Sequence, residues 1–235
     1  MEDMLLAATR GITLASASPR RSLLLAVLGI PFTISPVDIP EERLPGESPQ
    51  AMVVRLSVAK ARAAAPGSAH TIVLGSDTAV IVASGGETLV IGKPVDRQQV
   101  REMLAFLGGR THVVYTGFAL LDTCSGRMIT GWQTVTVCLR SLTEGELSAY
   151  IDSGIGDDKA GAYAIQDQRF RLVERLSGCA AAAMGLPLCA LWKALPRMGI
   201  VVPAKEAVIE GCQALIGLVC CLESSDERPE LVING

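Results

Sequence analysis

The chain has 235 residues, enough for one large α/β domain or two small lobes around a sizeable core. With 49% hydrophobic and 19% charged residues, it is not a globally disordered chain. A formal net charge of −3 and 4% aromatic residues argue against long nucleic acid as a partner and against an extended base-stacking platform, but suit a small anion held by local Arg and Lys.

Residues 1–10 are acidic at their start and too short for a signal peptide, so a cytoplasmic enzyme is expected. Residues 11–14 read as the end of a strand, and residues 22–28 as a helix closed by Gly29. Between them runs Ser16-Ala-Ser-Pro-Arg-Arg21, with Ser18 as a natural N-cap and Pro19 suited to the first helical position. Such a turn aims backbone N–H groups, the positive end of the helix dipole and two guanidinium groups at one point, an arrangement that suits a phosphate. Cations in a first helical turn oppose the dipole, so the two arginines need a reason to be there.

Residues 31–37 read as a strand, followed by a polar loop over 38–47. Ser48 then caps a helix with Pro49 at its first position and Met52, Leu56, Ala59 and Ala63 as its apolar stripe. Val53, Leu56 and Lys60 also lie on one face by 3 and 4 spacing, so Lys60 borders that stripe, either snorkelling or pointing an ammonium into a cleft. Residues 71–75 form a short strand that ends at Ser76-Asp77-Thr78 and resumes over 79–83, before a hairpin through Gly85-Gly86 into 88–91. Asp96 caps a helix with Val100, Met103, Leu104 and Leu107 inward, stopped by Gly108-Gly109. Two long runs, 111–121 and 128–139, predict an antiparallel ribbon. Thr143-Glu-Gly-Glu146 is a capping box opening a helix that Gly154 closes. Residues 157–166 read as a loop entering a strand, 170–176 as a strand, and 186–195 as a helix. Residues 204–222 read as one more helix and 223–235 as a tail. The expected division is a body over 1–195 and a helical extension over 196–235, with the last helix packed on the body or on a second copy in a homodimer. The longest apolar run, 214–222, falls short of the ~20 residues that span a bilayer, so no membrane partner is expected. The seven cysteines contain no C-x-x-C pair and only two histidines accompany them, which removes zinc-finger and redox-motif readings. Reduced thiols in the core are the default.

Asp77, at a predicted strand end, can hold a divalent cation or act as a base on water, or simply make an Asx turn. Lys93 lies in Gly-Lys-Pro, but no G-x-x-x-x-G-K-[ST] exists anywhere in the chain, so a P-loop is rejected. Asp158-Lys159 and Gln166 say little individually.

Taken in order, the set is more specific. Ser16-Ala-Ser-Pro-Arg-Arg21, Glu41, Lys60, Gly75-Ser-Asp-Thr78, Gly92-Lys-Pro94, Leu107-Gly-Gly-Arg-Thr-His112, Asp158-Lys-Ala-Gly-Ala-Tyr-Ala-Ile-Gln166 and Gly185-Leu-Pro187 together resemble the Maf family over residues 12–195. The resemblance implies an α/β fold like that of the inosine triphosphatase group, an elongated mixed β-sheet flanked by helices, in two lobes around a cleft. It implies hydrolysis of a nucleoside triphosphate to the monophosphate and diphosphate with Mg²⁺ or Mn²⁺. Asp77 then matches the proton acceptor and, with Glu41, the metal site. Ser18, Arg20, Arg21, Lys60 and Lys93 match the phosphate-contacting positions, and Lys159 lies in the Asp-Lys-Ala-Gly run. Arg20, Thr78 and Gln166 resemble the group acting on dTTP and UTP. Where the family carries a bulky polar segment before Gly-Leu-Pro, this chain has Cys179-Ala-Ala-Ala-Ala-Met184. Small side chains there widen a base pocket if that segment lines it. The rival expectations are a nucleotide-binding regulator of cell division with little catalysis, and a phosphatase that removes only the terminal phosphate.

Overall fold

A computed structural model describes residues 11–218, 220, 222 and 230–234. In chain order it runs β1 (Ile12–Leu14), α1 (Pro19–Ala26), β2 (Phe32–Ile34), α2 (Pro49–Ala64), β3 (Ile72–Ser84), β4 (Glu87–Ile91), α3 (Arg97–Leu107), β5 (Thr111–Asp122), β6 (Met128–Leu139), α4 (Glu144–Ser153), β7 (Val173–Ser177), α5 (Ala180–Ala183), α6 (Leu188–Ala194), α7 (Lys205–Ile216) and β8 (Glu230–Asn234). Among the described residues eight strands form one mixed, open sheet in the order β2-β1-β3-β5-β6-β7. β4 adds to β3 and β8 to β6, and helices flank the sheet. β1 runs parallel to β2 and β3, and every other pairing is antiparallel. The expected α/β class and mixed sheet are what the chain forms.

Local chemistry explains most element ends. Ser48 accepts from Ala51 N and Asp96 from Gln99 N, while Thr143 and Glu146 complete their capping box. Gly85 and Gly86 carry φ of +60° and +84°, as a two-residue turn between β3 and β4 demands.

Several expectations need correction. β3 does not stop at Asp77; it runs unbroken through 13 residues, because β5 pairs with it in register from Ile72 to Ile81. The buried face of α2 is Met52, Val53, Leu56, Ser57, Lys60, Ala61 and Ala64, not a stripe through Ala59 and the exposed Ala63. The cause lies in the sheet. A Cβ on Gly75 would collide with Ser57 O, and one on Gly117 would lie 2.5 Å from Val53 O, so α2 rests its backbone on two strand glycines. Residues 157–166 do not lead directly into a strand; Gly161 (φ +74°) and Ala162 (φ +61°) are left-handed and break the extended path, and β7 begins only at Val173. β2 and β7 are shorter than expected, as is α7, which ends at Gly217 in a left-handed C-cap. Residues 230–234, expected as part of a tail, form β8; the rest of that tail lies outside the described residues. Val208, Cys212 and Ile216 of α7 belong to the main hydrophobic core. Cys124, Cys138 and Cys212 carry free thiols, but Cys189 is disulfide-bonded, a departure from uniformly reduced cysteines. Among the described residues no helix is long and apolar enough to cross a membrane.

Candidate active site

β1 pairs with β3 over Ile72–Leu74, and β4 pairs with the same edge of β3 from Val80 onward. Residues 75–79 lie between these partners, leaving a gap in the sheet with Asp77 at its centre. The chain leaving β1 forms the Ser16–Pro19 turn beside that gap, at the carboxyl end of a parallel strand, where open α/β sheets place ligands.

A cleft open to solvent lies here. Its polar part is lined by Ser18, Arg20, Arg21, Glu41, Lys60, Asp77, Thr78, Lys93, Lys159 and Gln166, so it brings together every site residue singled out from the sequence. The remainder is largely apolar: Val80, Tyr163, Ala164, Ile165, Ala183 and Met184.

Asp77 is 5% exposed, on the face of β3 beneath α2. Lys60, 7% exposed, reaches from α2 so that its Nζ lies 2.6 Å from Asp77 Oδ1 and 2.6 Å from Glu41 Oε1. The lysine is therefore no snorkelling surface residue; it bridges two carboxylates. Burial raises the Asp77 pKa, and the ammonium of Lys60 and the guanidinium of Arg21 only partly offset it. Glu41, on the loop before α2, moves the other way. Burial is the largest single influence and pushes its pKa up, but the Lys60 hydrogen bond and the charges of Lys60, Lys93 and Arg21 together bring it down. The two carboxylates thus have different environments, one poised to take a proton and one held ionised.

The arginines have their reason, in part, within the fold. Arg20 Nη1 donates to Asp158 Oδ2 at 2.6 Å across the cleft mouth, and Lys159 Nζ donates to Asp158 Oδ1 at 2.5 Å. Arg21 donates through Nε to Gly185 O at 2.8 Å, through Nη1 to Ser16 Oγ at 3.2 Å, and through Nη2 to Thr78 Oγ1 at 3.4 Å. Ser18 occupies the N-cap position of α1, makes no side-chain cap bond, and lines the cleft. Ser16 Oγ takes the Ser18 N–H at 3.2 Å.

Four participants had no role assigned from the sequence, although Ser76, His112 and Tyr163 lie inside the quoted motifs. Ser76 and Thr116 are fully buried hydroxyls behind the cleft, visible in the sequence as polar residues inside apolar strand runs. His112 Nε2 and Tyr163 Oη meet at 2.7 Å, and burial lowers the His112 pKa to about 4, so a neutral imidazole holds the tyrosine that lines the apolar wall.

Two carboxylate oxygens beside a cleft are hard donors of the kind Mg²⁺ takes, with its remaining positions left to water and substrate phosphates. Lys60 Nζ already marks a point where a cation is held by both Asp77 and Glu41, so the donor set fits. Among the described residues no cluster of three or more His, Cys, Asp or Glu side chains is placed to hold a metal ion.

A gapped mixed sheet with a cation-rich cleft and a buried carboxylate at the gap defines a polyanion-binding hydrolase type of site. A family model described as Maf-like protein matches residues 11–198. The chain is 42% identical over 193 residues to the dTTP/UTP pyrophosphatase of Syntrophotalea carbinolica, covering 81% of this chain and 86% of the relative. It is 42% identical to that of Geobacter sulfurreducens (80% and 96% covered) and 43% identical to that of Moorella thermoacetica (80% and 95%). The chain belongs to the Maf-like protein family.

Proposed function

We propose that the protein is a nucleoside triphosphate pyrophosphatase that hydrolyses UTP and dTTP to the monophosphate and diphosphate. The observation that carries this reading is the buried Asp77 in the sheet gap, bound to Lys60 at 2.6 Å and facing a cleft rich in cations. The names of the relatives supply the substrates.

Five cationic side chains line the cleft: Arg20, Arg21, Lys60, Lys93 and Lys159. Facing Glu41, Asp77 and Asp158, they leave an excess of positive charge for a triphosphate. The triphosphate competes for Lys60 and Arg20, drawing the first from Asp77 and the second from Asp158. Asp77, with its raised pKa, then orients a water molecule and accepts its proton as the oxygen attacks the α-phosphorus. The bond from the α-phosphorus to the bridging oxygen breaks, and pyrophosphate leaves with its charge met by lysine ammonium groups. Glu41 and Asp77 would hold Mg²⁺ or Mn²⁺, which supplies further charge stabilisation to the phosphates. Gln166, next to Ile165 in the cleft lining, offers an amide to a base edge.

The test is a panel of nucleoside triphosphates with Mg²⁺ or Mn²⁺, scored separately for pyrophosphate and orthophosphate. Pyrophosphate from UTP and dTTP is expected. Orthophosphate as the product would make the protein a phosphatase, and a preference for purine triphosphates would reject the pyrimidine reading while leaving the reaction class standing.

A further inference from the structure

The apolar wall of the cleft at Ala183, Met184 and Gly185 has an unusual support. It closes α5, a single turn of four alanines, three of them buried, whose N-cap Cys179 makes no side-chain cap bond. Alanines carry no rotamers to interlock and no polar groups to anchor. What fixes this wall is its backbone. Ala182 O accepts from Thr116 Oγ1 at 2.8 Å. Gly185 O accepts from Arg21 Nε at 2.8 Å and shares the single Ser76 hydroxyl proton with Gly117 O, at 3.0 and 2.8 Å from Ser76 Oγ. Thr116 and Ser76 are both 0% exposed, so these bonds have no competition from water.

The hydroxyls also form a relay. Thr116 Oγ1 lies 3.1 Å from Thr78 Oγ1. Thr116 has one hydroxyl proton and Ala182 O can only accept, so that proton goes to the carbonyl and Thr78 supplies the proton of the 3.1 Å contact. Arg21 Nη2 in turn donates to Thr78 Oγ1 at 3.4 Å. Hydrogen bonds thus link the Arg21 guanidinium, Thr78 in the cleft and Thr116 to the α5 wall, which Arg21 also holds directly at Gly185 O.

We infer that Thr116 is a positioning residue for base selectivity: its hydroxyl, acting with Ser76 and Arg21, sets the place of the α5 wall against which the base is discriminated. The inference rests on the nucleotide reading above and goes beyond it, because Thr116 does not line the cleft and acts through the Ala182 carbonyl and Thr78 Oγ1. Steric discrimination in an apolar pocket changes by roughly 10- to 200-fold for one methylene's difference in fit. A wall of small side chains that loses its backbone tether relaxes on that scale.

The experiment uses the full chain with three substitutions. Thr116→Val removes the donor at nearly constant volume, Thr116→Ser keeps the hydroxyl, and Ser76→Ala removes the hydroxyl shared between Gly185 O and Gly117 O. The readouts are the ratio of kcat/KM for UTP to that for ATP, the inhibition constant of inorganic pyrophosphate, and thermal melting. Thr116→Val and Ser76→Ala are each expected to lower the UTP:ATP ratio by about 10-fold, and Thr116→Ser to preserve it. The pyrophosphate constant of the Thr116 variants should stay within about two-fold, as expected when phosphate binding is untouched. A purely structural role would lower the melting temperature and leave the ratio unchanged, and that result overturns the inference, as does loss of the ratio in Thr116→Ser. If Thr116→Val does not fold, Ser76→Ala and Thr116→Ser decide by the same criterion. A wild-type protein that releases pyrophosphate but treats the bases alike overturns the base reading and this inference together. One that releases no pyrophosphate overturns the proposed function itself, and the inference with it.

Discussion

Removing either member of the Lys60–Asp77 pair deletes the same 2.6 Å contact, yet the two deletions should cost very different amounts of stability. In Asp77→Asn the ammonium of Lys60 keeps Glu41 at 2.6 Å, and Glu41 has a half-exposed side chain that shares the charge with water. The carboxylate removed was itself costly, since burial had raised its pKa. The expected loss is about 1 kcal/mol or less, the scale of one net hydrogen bond. In Lys60→Met two carboxylates face each other with their bridging cation gone, and Asp77 is 5% exposed. Breaking a buried pair so that one charge is stranded costs ~3–5 kcal/mol. The pH dependence has a definite sign. Without Lys60 the folded pKa of Asp77 rises further above its unfolded value, so the stability tied to its proton is fully present below the unfolded carboxylate pKa. It is lost as pH rises through the folded pKa. The deficit of Lys60→Met should therefore be small near pH 4 and grow toward pH 8, while that of Asp77→Asn stays flat or shrinks. Urea unfolding followed by tryptophan fluorescence at several pH values, without metal or nucleotide, measures both. Asp77→Asn should still lose at least ~100-fold in turnover. Equal stability costs for the two variants, or a Lys60→Met deficit that does not grow with pH, would refute the reasoning.

Glu146, tied to Arg140 and to the capping box, has its pKa lowered to about 2. Its stabilisation is present above the unfolded glutamate pKa and lost as pH falls toward about 2, so Glu146→Gln should destabilise at neutral pH and match the wild type in acid, as pH-dependent melting will show. Gly117→Ala places a Cβ 2.5 Å from Val53 O and must push α2 off the sheet. An overpacking cost of ~1–3 kcal/mol should come with a larger loss of activity as Lys60 leaves Asp77, whereas Gly67→Ala, with open space around its Cβ, should change neither.

What the sequence made legible was what local chemistry decides. Ser48, Asp96 and Thr143 cap helices because each bond reaches a backbone N–H three residues on. Ser18 reads identically, yet its side chain makes no cap bond; the hydrogen bond at this turn runs from the Ser18 N–H to Ser16 Oγ. The site residues were legible as an ordered set of motifs, but not the partners that hold them. Asp77 looked like a strand end because three polar residues interrupt an apolar run. In the fold Ser76 Oγ donates to Gly117 O and Thr78 Oγ1 bonds Arg21 and Thr116, so the strand continues with its polar side chains satisfied. The buried face of α2 was misread for a similar reason: Gly75 and Gly117, far away in sequence, remove the side chains that would otherwise keep Ser57 and Lys60 off the sheet.

The position of Asp77 follows from where strands fail to meet. β1 leaves β3 at Leu74 and β4 joins it at Val80, so one edge of β3 stays open through residues 75–79. An open edge invites another strand, and proteins usually blunt it with charge. Here Lys60, Arg21 and Glu41 crowd the gap, which discourages strand addition. The same crowding makes a charged ligand the natural occupant. A substrate with several negative oxygens satisfies the cations that a β-strand would leave buried and unpaired. The device that protects the edge thus also selects the ligand. Asp77 gains a place that is buried enough to raise its pKa yet open on one side to water, and an Asx turn at a strand end would provide only the second.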